Sequence, residues 1–161
     1  MKKNIFLFFA SLFFLNCSAQ EPTQFTETAL NDTFIDLDGT SVTFQSILDQ
    51  HKGKTIVIDI WASWCSDCIK GMPKVQALQL KNKEVVFLFL SLDKSQESWK
   101  KGIEKYKVKG QNYFMQSGWK GDFATFVNLD WIPRYMVVDK DQNITVFKAI
   151  KVNDKKIKNA L

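Results

Sequence analysis

Residues 55–73 read TIVIDIWASWCSDCIKGMP, and this stretch decides the fold. Its first seven residues, TIVIDIW, form a β-branched run of strand length with one charge, at Asp59, which is typical of a central buried strand. From Ser66 to Leu80, apolar side chains return at helical spacing. The stretch therefore predicts a buried strand that leads directly into a helix, with Cys65 and Cys68 at the junction.

The elements predicted on either side continue this alternation of strands and helices. They are a hairpin around Asp38-Gly39 (34–37 and 42–44), a short helix (46–51), a strand (84–92), a helix (96–106), a hairpin around 139–143 (134–138 and 144–147) and a closing helix (153–161). This order predicts an α/β fold in which helices flank a mixed central sheet, behind an N-terminal β-hairpin. Residues 55–92 are expected to form a right-handed βαβ crossover.

Composition indicates one globular domain. The chain has 161 residues, of which 45% are hydrophobic and 14% aromatic, enough to bury a single core. The formal charge of +5 falls to +3 if Lys2 and Lys3 are removed with a leader, and the remaining lysines are mostly spread along the chain. We therefore expect a domain over residues 34–161 and no nucleic-acid partner.

The N-terminus has the order of a secretory signal: Lys2 and Lys3, an apolar stretch over 5–15, then small or polar residues. The apolar stretch is too short to span a bilayer. Cleavage after Ala19 would give a signal peptide over 1–19. Residues Phe14–Cys17 also loosely resemble a lipobox, in which case Cys17 would carry a lipid anchor, and the residues leave both alternatives open.

Export would place the domain in the periplasm, or otherwise outside the cytoplasmic membrane, with Cys65 and Cys68 in an oxidising compartment. Residues 20–33 are polar and contain Pro22, which predicts a mobile tether between the cleavage site and the domain.

The CxxC pair has two physical interpretations, half of a zinc site or a redox dithiol. Zinc would need two further ligands, and the mature chain offers only His51 besides scattered carboxylates, so we expect no metal. At the start of a helix, free backbone N–H groups favour a thiolate on Cys65, and Cys68 lies one turn along on the same face. A purely structural bridge would close too small a loop to stabilise the fold much.

An acidic residue within TIVIDIW is unusual because a buried carboxylate is desolvated. Asp59 is therefore expected to lie in a special environment, the alternative being a solvated aspartate at a sheet edge.

Residues 57–68, followed by Pro73, resemble the active-site strand, loop and helix of the thioredoxin superfamily, including Trp-Cys-x-x-Cys and the upstream Trp-Ala. Trp131-Ile132-Pro133, before a predicted strand, resembles that family's cis-proline loop. The resemblance covers residues 30–161. The long segment between Asp93 and Ile132 and the N-terminal hairpin are similar to exported TlpA/ResA-like thioredoxins.

The resemblance implies a thiol-disulfide oxidoreductase that works through its own cysteines without a further cofactor. Cys65 would be the nucleophile and Cys68 the buried resolving thiol. Asp59 would take the proton from Cys68 as that thiol attacks the mixed disulfide, which requires a carboxyl with a raised pKa.

The resemblance also implies a substrate groove. Trp64 would flank and shield the sulfur, and Ile132 and Pro133 would line the groove, with a cis bond that lets the Ile132 backbone pair with an extended substrate. Pro73 would lie inside the helix and have a geometric role.

This chain departs from the family pattern at three places. Phe89 stands where thioredoxin has a lysine near its aspartate, and Gly71 stands where many ResA-like proteins have a glutamate. Ser66-Asp67 replaces Gly-Pro between the cysteines. We expect the Asp67 carboxylate to oppose a thiolate on Cys65 and so make the couple more reducing than that of DsbA.

The expected function is reduction of disulfides in exported proteins, including the apocytochrome thiols to which haem is attached, with electrons from a membrane-bound donor. Net oxidation or isomerisation of secreted proteins, and a binding module without turnover, are the alternatives. The aromatic residues between 94 and 130 are expected to belong to the core, and the alternative is a surface that binds the client. They are Tyr113, Phe114, Trp119, Phe123 and Phe126.

Overall fold

Strand β3, Ile56–Trp61, is buried at all six positions and lies between a parallel and an antiparallel neighbour. The computed structural model describes residues 20–161. The elements besides β3 are α1 (Glu27–Asn31), β1 (Thr33–Ile35), β2 (Ser41–Thr43), α2 (Phe44–Asp49), α3 (Ser66–Lys81), β4 (Val86–Ser91), α4 (Gln96–Tyr106), β5 (Gln111–Phe114), a 3-10 helix (Gly118–Lys120), α5 (Asp122–Phe126), β6 (Arg134–Val138), β7 (Ile144–Ala149) and α6 (Lys155–Ala160). The seven strands form one sheet in the order β2-β1-β5-β4-β3-β6-β7.

The sheet is mixed, as predicted. β3, β4 and β5 run parallel, whereas β6, β7, β1 and β2 join by antiparallel pairing. The β-branched and aromatic side chains of β3 and β4 suit a strand covered on both faces, and helix α3 connects these two strands. This α/β arrangement confirms the predicted fold class and the N-terminal hairpin.

Helix α3 follows β3 directly and begins next to Cys65, whose side chain caps it. Within the helix, Met72 and Val75 are buried. Leu80, which belongs to the same predicted apolar pattern, is exposed. Pro73 lies inside the helix as predicted. The helix thus carries Cys68 on a face that packs against the sheet.

The prediction of a tether over 20–33 is wrong in its second half. Helix α1 and the start of β1 fall within it, and Ala29 is fully buried. The Phe25 ring lies 4.9 Å from that of Phe44 and 5.5 Å from that of Phe126, measured between centroids. These aromatic partners come from distant parts of the chain, so the polar local composition did not reveal the packing.

The segment between β4 and β6 contains β5, the 3-10 helix and α5, none of which was predicted. Tyr113 and Phe123 are buried and Phe114 and Phe126 are half-buried, which agrees with the expectation of core. Trp119 differs, since its side chain is exposed on the 3-10 helix. The expectation that it belongs to the core is therefore wrong.

Within residues 20–161, no helix is both long enough and apolar enough to cross a membrane. The predicted signal peptide and the predicted anchor at Cys17 lie outside the described residues.

Candidate active site

Cys65 and Cys68 form a disulfide at the N-terminus of α3, with their Cα atoms 5.3 Å apart. Cys65 is the N-cap residue, and the Cys68 backbone N–H donates a hydrogen bond to the Cys65 sulfur over 3.1 Å. That donor and the helix dipole both favour negative charge on Cys65 once the bond is reduced. Cys65 is 7% exposed and Cys68 is 1% exposed, so an incoming disulfide meets Cys65 first.

The Ile132-Pro133 loop lies opposite the disulfide. The peptide bond between these residues is cis, as predicted, and the Ile132 carbonyl oxygen is 3.7 Å from the Cys65 sulfur. In the disulfide this is a contact and not a hydrogen bond, because the sulfur has no proton to donate. The structure thus brings Cys65, Ile132 and Pro133 together in one place.

A buried arginine holds this loop. Arg134 is fully buried and donates to the carbonyl oxygens of Val127 and Asn128, over 2.6 and 3.1 Å, and to the Asp130 carboxylate. Asp130 also accepts from Lys148, and this hydrogen bond, with the two positive charges nearby, lowers the pKa of Asp130 to about 2. The sequence did not indicate a role for Arg134 at the site, because this residue is simply the first of a predicted strand.

Asp59 is 2% exposed, which excludes the alternative of a solvated edge position. Neither carboxylate oxygen has a hydrogen-bond partner among residues 20–161. Asp59 is paired with Phe89 in β4 and with Tyr135 in β6. The residue directly opposite Asp59 is therefore not a cation in either neighbouring strand. Burial without compensation raises the pKa of Asp59 to about 8.

The position of Tyr135 shows that Asp59 lies on the face of the sheet that α3 covers. The two residues are directly opposed in an antiparallel pair, so their side chains share one face. The Tyr135 hydroxyl lies 3.2 Å from where a Cβ on Gly71 would be, and Gly71 is in α3. A side chain at position 71, where many ResA-like proteins have glutamate, would crowd this hydroxyl. Burial raises the pKa of Tyr135, and the nearby Asp59 adds to the effect.

A second buried aspartate lies under the loop that leads to Cys65. Asp93 is 5% exposed and accepts hydrogen bonds from the Ser63 backbone N–H, the Ser63 hydroxyl and the Ser91 hydroxyl. These bonds hold the turn before Trp64 against the end of β4. Asp93 was not recognised in the sequence because it follows a predicted strand, where acidic residues are common.

Three tryptophans surround the accessible sulfur. Trp64 was predicted there, Trp119 was expected in the core with a client surface as the alternative, and Trp131 was given no role. With Cys65 and Ile132 they line a cavity of about 210 Å³, and all three indoles are exposed. Trp119 comes from the 3-10 helix and Trp131 from the loop before β6, and only the fold brings them together.

An accessible sulfur at a helix N-terminus, a buried partner sulfur and a cis-proline loop can together carry out thiol-disulfide exchange. A family model described as Redoxin matches residues 8–161. The chain belongs to the Redoxin family. In this Redoxin-family chain, Cys65 and Cys68 form a disulfide, the Ile132-Pro133 bond is cis and Asp59 is buried.

Individual relatives agree with this assignment. The chain is 28% identical over 123 residues to a thiol-disulfide oxidoreductase ResA of Bacillus cereus, covering 68% of this chain and 69% of that protein. It is 25% identical over 158 residues to the ResA of Bacillus thuringiensis subsp. konkukian, covering 89% and 87%.

Solved structures give the same result. The thioredoxin domain of a thiol-disulfide oxidoreductase from Bacteroides vulgatus matches with a TM-score of 0.65 and 27% identity, over 84% of this chain and 95% of that one. A thiol:disulfide interchange protein from Bacteroides sp. matches with a TM-score of 0.66 and 27% identity, over 86% and 87%. This Redoxin-family protein is therefore a thioredoxin-like thiol-disulfide oxidoreductase of the TlpA/ResA type.

Proposed function

We propose that the protein reduces disulfides in exported proteins, with Cys65 as the nucleophile, Cys68 as the resolving thiol and Asp59 as the proton acceptor. The observation that carries this proposal is the difference between the two sulfurs. Cys65 caps α3 and opens onto a cavity, whereas Cys68 is buried one turn further along.

The first step is attack by the Cys65 thiolate on one sulfur of a client disulfide. The client S–S bond breaks, a mixed disulfide forms, and the other client sulfur leaves as a thiolate that takes a proton from solvent. The helix N-terminus and the Cys68 N–H support the thiolate before attack. The Ile132 backbone, next to the Cys65 sulfur, supports the proposed pairing with an extended client segment.

The second step is attack by Cys68 on the Cys65 sulfur. Cys68 loses its proton, the mixed disulfide breaks, the Cys65–Cys68 disulfide forms, and the second client sulfur leaves as a thiolate that takes a proton from solvent. Asp59 takes the Cys68 proton, directly or through one water molecule. A carboxyl whose pKa is raised to about 8 is half deprotonated at that pH, and its deprotonated form is a far stronger base than an ordinary aspartate. Asp59 can therefore both accept and return a proton there.

The cycle closes when an electron donor reduces the Cys65–Cys68 disulfide. Two electrons enter and leave through the cysteines, so the proposed reaction uses no further cofactor and no metal. We assign the donor to the membrane, and the clients to exported proteins including apocytochromes. These assignments rest on the signal-like residues 1–19 and on the similarity to proteins named ResA.

A mixed-disulfide trap tests the assignment of the two cysteines. Cys68→Ser should accumulate a stable mixed disulfide with a model substrate, because the resolving thiol is absent. Cys65→Ser is the matched control and should trap nothing. In the reduced wild-type protein, Cys65 should be alkylated much faster than Cys68, and equal rates would contradict the roles.

The redox potential decides the direction of transfer. A potential of about −270 mV, as in thioredoxin, supports reduction of client disulfides. A value of about −120 mV, as in DsbA, would favour oxidation of secreted proteins. A glutathione or dithiothreitol titration, followed by tryptophan fluorescence, measures this potential. A protein that exchanges no disulfide at all would instead be a binding module.

A further inference from the structure

Three large apolar side chains are left in solvent next to the reactive sulfur. Trp64 is 52% exposed, Trp119 is 41% exposed and Trp131 is 66% exposed. Single exposed apolar residues are common, but three indoles around one cavity form a contiguous patch of the kind that marks binding sites. Tryptophan is also enriched at the energetic centres of protein interfaces.

The size and lining of this cavity suit one side chain. Its volume of about 210 Å³ is below the range of roughly 300 to 1,000 Å³ typical of small-molecule pockets. The walls are mainly the three indoles and Ile132, which would pack against an aromatic ring edge-on or offset. The Cys65 sulfur is part of the same wall, so the residue that fills the cavity must lie beside the client cysteine.

A second groove continues from the first on the other side of Trp131. It has a volume of about 370 Å³, runs between α3 and the end of β7, and shares Asp67 and Trp131 with the tryptophan cavity. Three lysines line it, Lys70, Lys74 and Lys151, against the single acid Asp67. Its charge therefore complements an acidic partner.

We infer that the preferred client is an extended polypeptide with an aromatic residue beside its disulfide-bonded cysteine and an acidic residue a few positions away. The aromatic side chain occupies the tryptophan cavity and the acidic one lies along the lysine groove. This inference rests on the proposed function, whose chemistry it leaves unchanged. Two adjoining grooves exceed the reach of a small disulfide, which is why a polypeptide is the occupant.

Synthetic peptides test the inference with a defined probe. Three hexapeptides, each as its symmetrical disulfide dimer, would carry phenylalanine beside cysteine with glutamate nearby, alanine in place of phenylalanine, or lysine in place of glutamate. Reduction of each dimer by the reduced wild-type protein is quenched with acid, and the released peptide thiol is measured by chromatography. Hydroxyethyl disulfide serves as a small substrate that fills neither groove.

The phenylalanine peptide should be reduced about tenfold faster than the alanine peptide, since burying a ring favours its binding. The glutamate peptide should be reduced severalfold faster than the lysine peptide, and this ratio should fall towards one near 1 M salt, where charges are screened beyond about 3 Å.

Paired variants show which residues set these ratios. The double variant Trp119→Ala with Trp131→Ala should reduce the phenylalanine-to-alanine ratio below twofold. The double variant Lys74→Glu with Lys151→Glu should invert the glutamate-to-lysine ratio.

The matched controls are Leu80→Ala, another exposed apolar residue, and Lys83→Glu, and both should keep the wild-type ratios. Each ratio compares two peptides on one variant, so a general loss of activity cancels. If the double tryptophan variant does not fold, Trp119→Ala alone, on the 3-10 helix, should lower the first ratio partly.

The inference is overturned if wild-type protein reduces hydroxyethyl disulfide but shows no preference for phenylalanine, or if the tryptophan variants keep the preference. It is also overturned if the tryptophan cavity proves to be covered by a second copy of the chain, seen as concentration-dependent dimerisation that the tryptophan variants abolish. Failure to reduce any disulfide, hydroxyethyl disulfide included, would instead overturn the proposed function.

Discussion

Asp59 and Asp93 are both buried aspartates near the redox pair, yet their surroundings are opposite. Asp93 accepts hydrogen bonds from Ser63 and Ser91, whereas the Asp59 carboxylate has no partner among the described residues. A buried carboxylate surrounded by donors is a structural element, because its charge is compensated. A buried carboxyl without donors holds a proton at pH values where an ordinary aspartate has lost it, and so can take part in proton transfer.

The two aspartates should therefore respond to substitution in opposite ways. Replacement of Asp59 removes an uncompensated polar group, which should stabilise the fold but impair the chemistry. Replacement of Asp93 breaks bonds that hold the active-site turn, which should destabilise the fold.

The largest expected effect is on the pH dependence of stability. The pKa of Asp59 is raised from 3.8 to about 8 in the folded protein, so between these values the folded state holds a proton that the unfolded state has lost. Stability should fall as the pH rises through this window, by on the order of 5 kcal/mol in total. Asp59→Leu should remove this fall, as measured by denaturant unfolding of the oxidised protein at pH 5 and pH 9.

Asp93→Asn is the matched control and should keep the wild-type pH dependence, because Asp59 is intact. An Asp59→Leu variant that loses stability with rising pH as steeply as the wild type would show that another group is responsible.

The second effect is on the resolution of the mixed disulfide. Asp59→Asn cannot accept the Cys68 proton, so resolution should slow about 100-fold, within the usual contribution of general-base catalysis, while formation of the mixed disulfide changes little. Rapid-quench kinetics with a single client disulfide would separate the two steps. Resolution at the wild-type rate would reduce Asp59 to a structural role.

The third effect concerns Asp93. In Asp93→Asn, an NH₂ group replaces a carboxylate oxygen that faces Ser63 and Ser91 donors, so at pH 7 the free energy of unfolding should fall by about 2 kcal/mol. Urea unfolding measures this change. Ser63→Ala, which removes the hydroxyl but keeps the backbone donor, should cost less. A neutral or stabilising Asp93→Asn would erase the contrast between the two aspartates.

The smallest effect is expected at an exposed aspartate. Asp67 lies in the first turn of α3, with its side chain 64% exposed and 3.6 Å from Lys70. Asp67→His removes a negative charge near Cys65, which should favour the thiolate and shift the potential towards oxidising values by about 10 to 30 mV, since solvent screens the charge. Asp122→His, in the first turn of α5, should leave the midpoint of the glutathione titration unchanged. A shift towards reducing values in Asp67→His would contradict the electrostatic argument.

The amino-acid sequence by itself determined the central strand, the helix that follows it and the position of the cysteine pair. These features depend on local information: a β-branched run, helical spacing and CxxC at the junction. The bounds predicted for α4 and β6 agree with the structure for the same reason. The family resemblance also identified the Ile132-Pro133 cis bond, because the residues around that proline were distinctive.

Only the tertiary structure decided which polar and aromatic residues meet at the site. The sequence marks Asp59 as unusual. Among residues 20–161 no donor reaches its carboxylate, whereas donors surround Asp93, and both facts depend on neighbours from β4, β6 and the turn at Ser63. The same holds for Trp119, on the 3-10 helix, and Trp131, before β6, and for Phe25, whose partners lie on α2 and α5. Local propensity acts over a few residues, whereas burial and hydrogen bonding depend on side chains that only the folded chain brings together.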